Sequence, residues 1–183
     1  MTQKMKKFIF IVLMIVLSAV TAHAQLLIAG AKRVEYDKII NGYRYIQVSS
    51  LNINVPERSV FWTNIAINFY DGYRYPYYVR LYTGCELTEK DEIIFTLADG
   101  REVHLYSASC DIIHSRLGLI KMHTIYSGTY LLNWQQLSDI ISSEIVGIKI
   151  GFEDKWYTRG FKKNELTRWF STNYNAIRKR LEK

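Results

Sequence analysis

Residues 34–50 read VEYDKIINGYRYIQVSS, and this stretch decides the fold class. At its centre stands Asn41-Gly42. A two-residue hairpin turn needs positive φ at both central positions, and Asn and Gly accept that at least cost. Val34 to Ile40 and Tyr43 to Ser50, on either side, are rich in β-branched and aromatic residues, which suit a pleated, half-buried surface. The reading is an antiparallel hairpin.

Working outward, Leu51, Ile53 and Val55 alternate with Asn52 and Asn54, the period of two of a half-buried strand, until Pro56 ends it. Phe61 to Phe69 alternates in part, and Asp71-Gly72 offers a turn into Tyr75 to Tyr82. Glu92 to Leu97 and Arg101 to Tyr106 bracket Asp99-Gly100, a second hairpin signal, with Val103 and Leu105 set against a wetter Glu102, His104 and Tyr106. Ile120 to Tyr130 reads as one more strand, and Val146 to Ile150 with Trp156 to Phe161 as a late hairpin. Asn133 can cap a short helix near 134–141. After Asn164, another candidate cap, Leu166, Trp169, Phe170, Tyr174, Ile177 and Leu181 form one apolar stripe at helical spacing. These signals predict a mostly β protein. The expected form is an antiparallel β-sandwich or barrel-like domain, with a C-terminal amphipathic helix packed on the sheet.

The N-terminus carries a different message. Lys4, Lys6 and Lys7 precede an unbroken apolar run from Phe8 to Leu17, and Ala22-His23-Ala24 before Gln25 has the small-x-small form of a cleavage site. The run is shorter than the ~20 apolar residues of a bilayer span. Residues 1–24 are therefore expected to be a signal peptide. Residues 25–183 are expected to be a single β-rich domain, periplasmic or secreted, with no transmembrane span. The formal charge of +7 falls by those three lysines on cleavage. A modest basic excess favours solubility and does not point to nucleic acid.

Cys85 and Cys110 are the only cysteines. In an oxidising compartment an even count suggests a disulfide; the competing reading is two buried thiols. His104, His114 and His123 lack the spacing of a helical zinc site, and neither HExxH nor CxxC occurs. A Gly-x-Ser-x-Gly elbow, a phosphate-cradling loop and a dinucleotide fingerprint are missing as well. The carboxylates Glu86, Glu89, Asp91 and Glu92 cluster between strands and read as a solvated loop. No catalytic residue, metal or cofactor is expected.

The most suggestive patch is YDGYRYPYY, residues 70–78. Tyrosine offers a rigid apolar face and a hydroxyl at low entropic cost, which suits sugars and protein partners alike. Alternation would place Tyr73, Tyr75 and Tyr77 on one sheet face with Tyr78 nearby. The competing reading is structural, because cross-strand aromatic pairs stabilise sheets. The basic residues of the last helix, such as Arg168, Lys179 and Lys183, read as a solvated face.

Three stretches carry a resemblance: IIFTLADGREVHLYSAS (93–109), NWQQLSDIISSEIVGIKIGF (133–152) and FKKNELTRWFSTNYNAIRKRLEK (161–183). Over about residues 92–183 the chain resembles small exported β-rich proteins of unknown function from gut anaerobic bacteria. The resemblance implies a β-sandwich-like domain with a terminal helix, and transfers no functional residue. The expected function is a non-catalytic binding or interaction protein of the cell envelope, its ligand a protein partner or a glycan. The alternatives are a hydrolase of envelope or dietary polymers and a structural component of a surface assembly.

Overall fold

In a computed structural model of the chain, the residues described are 34–53, 63–116, 122–152 and 155–183. The expected signal peptide and the strand end at Pro56 lie outside them. The strands are β1 (Val34–Ile40), β2 (Tyr43–Val48), β3 (Leu51–Asn52), β4 (Thr63–Tyr70), β5 (Tyr77–Thr83), β6 (Glu92–Leu97), β7 (Glu102–Arg116), β8 (Met122–Leu131), β9 (Ile145–Phe152) and β10 (Lys155–Gly160). Two helices, α1 (Trp134–Ser142) and α2 (Glu165–Leu181), complete the set.

The opening hairpin forms as its sequence requires. Asn41 and Gly42 take φ of 52° and 85°, and Ile40 pairs with Tyr43 across the turn. Gly100, with φ of 86°, closes the β6–β7 loop, in which Leu97 N–H donates to the Arg101 carbonyl at 2.9 Å. That is the glycine-terminated three-residue hairpin loop.

The strands join into one antiparallel ten-stranded sheet in the order β1-β2-β4-β5-β8-β7-β6-β9-β10, with β3 beside β4. Strand β7 makes the corner. Glu102 to Tyr106 pair with β6, whereas Ser107 onward pairs with β8, with a register shift between Ser107 and Ser109. An extra residue in one strand sharpens its bend and twist, so β7 belongs to two half-sheets. The sandwich-like character expected from sequence thus arises within a single sheet.

One face of this sheet holds the core. Ile46, Ile65, Ile67, Val79 and Leu81 from the first half, and Ile93, Phe95, Ile148 and Ile150 from the second, are fully or nearly fully buried. Helix α2 rests on β1, β2 and β4 and also on β9, so it touches both halves. Its Phe170 ring meets Phe95 edge-on, with centroids 5.6 Å apart. Burying such a side chain is worth about 1.5–3 kcal/mol. Thr167 fixes the helix axially: its hydroxyl donates to the Ser143 carbonyl at 2.7 Å and accepts from Ile145 N–H at 2.8 Å.

The two candidate caps behave differently. Asn133 makes a full capping box with Gln136, both bonds 2.9 Å. Asn164 sits at the α2 N-cap but in the left-handed region, φ 57°, and its side chain caps nothing. Side-chain capping needs extended backbone at that residue to aim the oxygen at the first turn.

The disulfide expectation is corrected. Cys85 and Cys110 are not joined by a disulfide. Strands β5 and β7 flank β8, and Cys110 shares a ladder row with Gly128 and Leu81. Alternate strands lie ~10 Å apart, beyond the ~7 Å limit between bridged Cα atoms. Cys110 Sγ instead contacts Ser107 Oγ at 3.2 Å.

Candidate functional site

The tyrosines singled out in sequence divide between surface and core. Tyr73 lies exposed in the β4–β5 turn and Tyr75 is half-buried there, with the Arg74 guanidinium 5.5 Å from its ring centre. Tyr77 and Tyr78 are buried, and the expected shared platform is corrected at both. Tyr77 opposes Phe69 across the ladder and packs on the core side against Tyr174 of α2, with centroids 5.1 Å apart. Burial pushes its phenol up to about 12. Tyr78, the next residue, points to the other face, as strand geometry demands, and is only 2% exposed.

That other face carries an aromatic cluster. The register of the opening hairpin sets Lys38 beside Tyr45 and Tyr36 beside Gln47, and Tyr45 pairs with Tyr70 of β4. Tyr70 then gathers its neighbours: its ring centroid is 5.7 Å from Tyr43, 6.5 Å from Tyr45 and 5.0 Å from Tyr73, all edge-to-face. Tyr73 continues to Tyr78 at 5.6 Å. Edge-to-face pairs of this kind are worth about 0.5–1.5 kcal/mol beyond burial. The close packing also explains Gly72, where a Cβ would fall 2.6 Å from the Tyr70 ring.

Polar groups set the orientation of the rings. Tyr45 donates to Gln47 Oε1 at 2.6 Å. Burial and the adjacent Tyr45 hold the Tyr78 phenol far above its ordinary range. Arg80 stands at the edge of the cluster, its Nε donating to Ser127 Oγ at 2.7 Å and its Nη2 to Asp111 Oδ2 at 3.2 Å. Its guanidinium carbon lies 5.7 Å from the Tyr82 ring centre. Lys38 Nζ sits over Tyr36 and Tyr45 at 5.5 and 5.8 Å. Solvent reaches the rim chiefly through Tyr36 and Tyr43, 53% and 48% exposed.

The result is a surface of locked rings with hydroxyls and two cations around them. Such a surface adheres through flat apolar faces and sorts partners through its rim. Among the described residues, no group of three His, Cys, Asp or Glu side chains converges to hold a metal. No helix among them is long and apolar enough to cross a membrane.

The sequence patch at 70–78 contains Tyr70, Tyr73 and Tyr78 of this cluster, whereas Tyr36, Tyr43, Tyr45 and Arg80 lie outside it. Part of that cluster had a local signal. A two-residue turn at Asn41-Gly42 fixes the register, and with it the shared face of Tyr36, Tyr43 and Tyr45. No family model, curated protein or solved structure matches this chain, so the site is read from its own chemistry.

Proposed function

We propose that this chain is a non-catalytic binding protein, exported to the cell envelope, whose tyrosine face engages a protein partner. The observation that carries the reading is the interlocked cluster around Tyr70, on the sheet face opposite the core. Tyr78 is buried at its base, while Tyr36, Tyr43 and Tyr73 keep the rim of the cluster open to solvent. Tyr and Arg dominate the energetics of protein interfaces because they bring large contact area with few rotors to freeze. Here the rings are already fixed by one another and by the Tyr45–Gln47 hydrogen bond, so little ordering remains to be done on binding.

The test is site-specific photo-crosslinking in the producing cell. A benzophenone side chain at position 43 or 73 is expected to yield a discrete adduct with one envelope protein. The adduct should disappear when Tyr36 and the remaining rim tyrosine are changed to Ala. A probe at Thr158, on the other half-sheet, should not give it. Equal adducts from all three positions, or none from 43 and 73, would overturn the proposal. An export test accompanies it: mature protein should begin at Gln25 by intact mass.

A further inference from the structure

The second half-sheet presents a site of different chemistry on its solvent face. Strand register lays out one row there: Tyr106 of β7 pairs with Glu92 of β6, the next position on β9 is Gly151, and Gly151 pairs with Trp156 of β10. Tyr106 and Trp156 are 66% and 50% exposed, a large apolar display on a face whose reverse is already the core. Between them the floor is low. Gly151 has no side chain, and the Trp156 ring leans over it, Cη2 lying 3.8 Å from where a Cβ would stand. Glycine inside a strand marks a place where another group approaches the backbone closely.

The polar groups beside this floor are held in place. His104 Nδ1 lies 2.6 Å from Glu92 Oε1, and the charge of the same carboxylate pushes the Tyr106 phenol up. In the adjoining row, Lys149 Nζ donates to Glu102 Oε1 at 2.8 Å. A cavity of about 740 Å³ opens at the Glu92–Trp156 end of the row, bounded by Glu92, Gly151, Lys155 and Trp156 together with the Thr88–Asp91 loop, with Tyr106 outside it. That volume falls within the ~300–1,000 Å³ of small-ligand sites.

We propose that this trough binds a neutral saccharide. The carbon-bound hydrogens on one face of a pyranose are weakly positive and match the negative face of the Trp156 ring. Its equatorial hydroxyls donate to Glu92, a charge-assisted bond stronger than a neutral one. Gly151 lets the Trp156 ring lie low over the strand, so the pyranose stacks on the indole and not on the backbone. The lining sets three carboxylates, Glu89, Asp91 and Glu92, against two cations, Lys90 and Lys155, so a uronate or sialate would meet a net negative wall. This site shares no residue with the tyrosine face and takes another class of ligand.

The experiment is titration of the full chain with xylohexaose, cellohexaose, maltohexaose and mannohexaose, with oligogalacturonate as the anionic comparison. Tryptophan fluorescence and calorimetry report binding. At least one neutral hexasaccharide is expected to saturate, with affinity about tenfold weaker, or worse, in Trp156→Ala. Gly151→Leu, which fills the floor and leaves every polar group in place, should weaken binding as much. Tyr43→Ala, on the other half-sheet, should leave it unchanged. Circular dichroism checks that the variants are folded, and either of the first two suffices if the other is not. The proposal is overturned if no neutral saccharide binds at millimolar concentration, if oligogalacturonate binds as tightly, or if folded trough variants bind as the parent does.

Discussion

Replacing Asn173 with Leu should stabilise this protein. Asn173 sits on the buried stripe of α2, between Phe170 and Ile177, and is fully buried. Neither its Nδ2 nor its Oδ1 has a hydrogen-bond partner. Each unmade bond of a buried amide costs about 1–3 kcal/mol, because water satisfied that group in the unfolded chain. Leucine has the same branching at Cγ but is larger, so overpacking should cost about 1–3 kcal/mol. Its helix propensity is also the better of the two, by up to roughly half a kcal/mol. The net expectation is a gain of about 2 kcal/mol. For a domain of this size each kcal/mol moves Tm by roughly 2–4 °C, so the midpoint should rise by roughly 4–8 °C. Thermal and urea unfolding followed by far-UV circular dichroism measure it directly. The urea midpoint should rise with the slope unchanged, since the surface exposed on unfolding hardly alters. An unchanged or lowered midpoint would refute the reasoning: the amide would then be paired through an internal water that Leu expels.

Three further expectations follow from named contacts. Under denaturing conditions without reductant, alkylation should add two groups per chain, at Cys85 and Cys110; in native protein both should react slowly, since one is buried and burial also pushes the Cys110 thiol up. A denatured chain that takes no label would restore the disulfide. Because the Tyr77 phenol is raised from 10 to about 12 in the fold, the native state holds that proton longer than the unfolded chain does. Its contribution is therefore complete below about pH 10 and is lost as pH climbs through about 12; urea midpoints at pH 9 and 11 should fall in that order, with the fall reduced in Tyr77→Phe. Gly72→Ala drives a Cβ to 2.6 Å from the Tyr70 ring, so it should lower stability by ~1–3 kcal/mol and weaken crosslinking from position 73; a neutral effect on both would show that the ring cluster tolerates displacement.

What could be read in advance was what is local. Asn41-Gly42 fixes a hairpin and its register, Asn133 with Gln136 fixes a helix start, and the Leu166–Ile177 stripe fixes which side of α2 is buried. None of these needs a distant partner to be recognised. The corner in β7 could not be seen, because its two halves are distinguished only by which strand, β6 or β8, comes alongside. The tyrosine assignment failed for a related reason. Alternation was counted from Tyr73, but the strand begins at Tyr77, and residues 73–76 belong to the turn, where the period of two does not apply. Both faces of β5 are also largely buried, so alternation alone could not say which side meets solvent. For the cysteines the strand order decides: Cys85 follows β5 and Cys110 lies inside β7, with β8 between those two strands.

The same construction accounts for why both candidate surfaces are rigid. A sheet whose inner face is largely apolar must be covered, and α2 does this for both halves at once through Phe170, Trp169 and Ile177. Once the curvature is set from inside, side chains on the outer face have fixed spacings, given by the ladder rows rather than by loop conformation. The Tyr70 cluster and the Tyr106–Glu92–Trp156 row both lie on such rows, so neither has to be assembled when a ligand arrives. The corner in β7 separates them, with Ser107 and Ser109 between the two registers. The two surfaces share the core but no side chain, and substitutions on them should be additive, as they are for sites without shared partners. Coupling between Tyr43→Ala and Trp156→Ala in either binding assay would mean that α2 transmits strain from one half-sheet to the other. The helix would then be a moving part of the protein, and the fixed support inferred from its packing would be wrong.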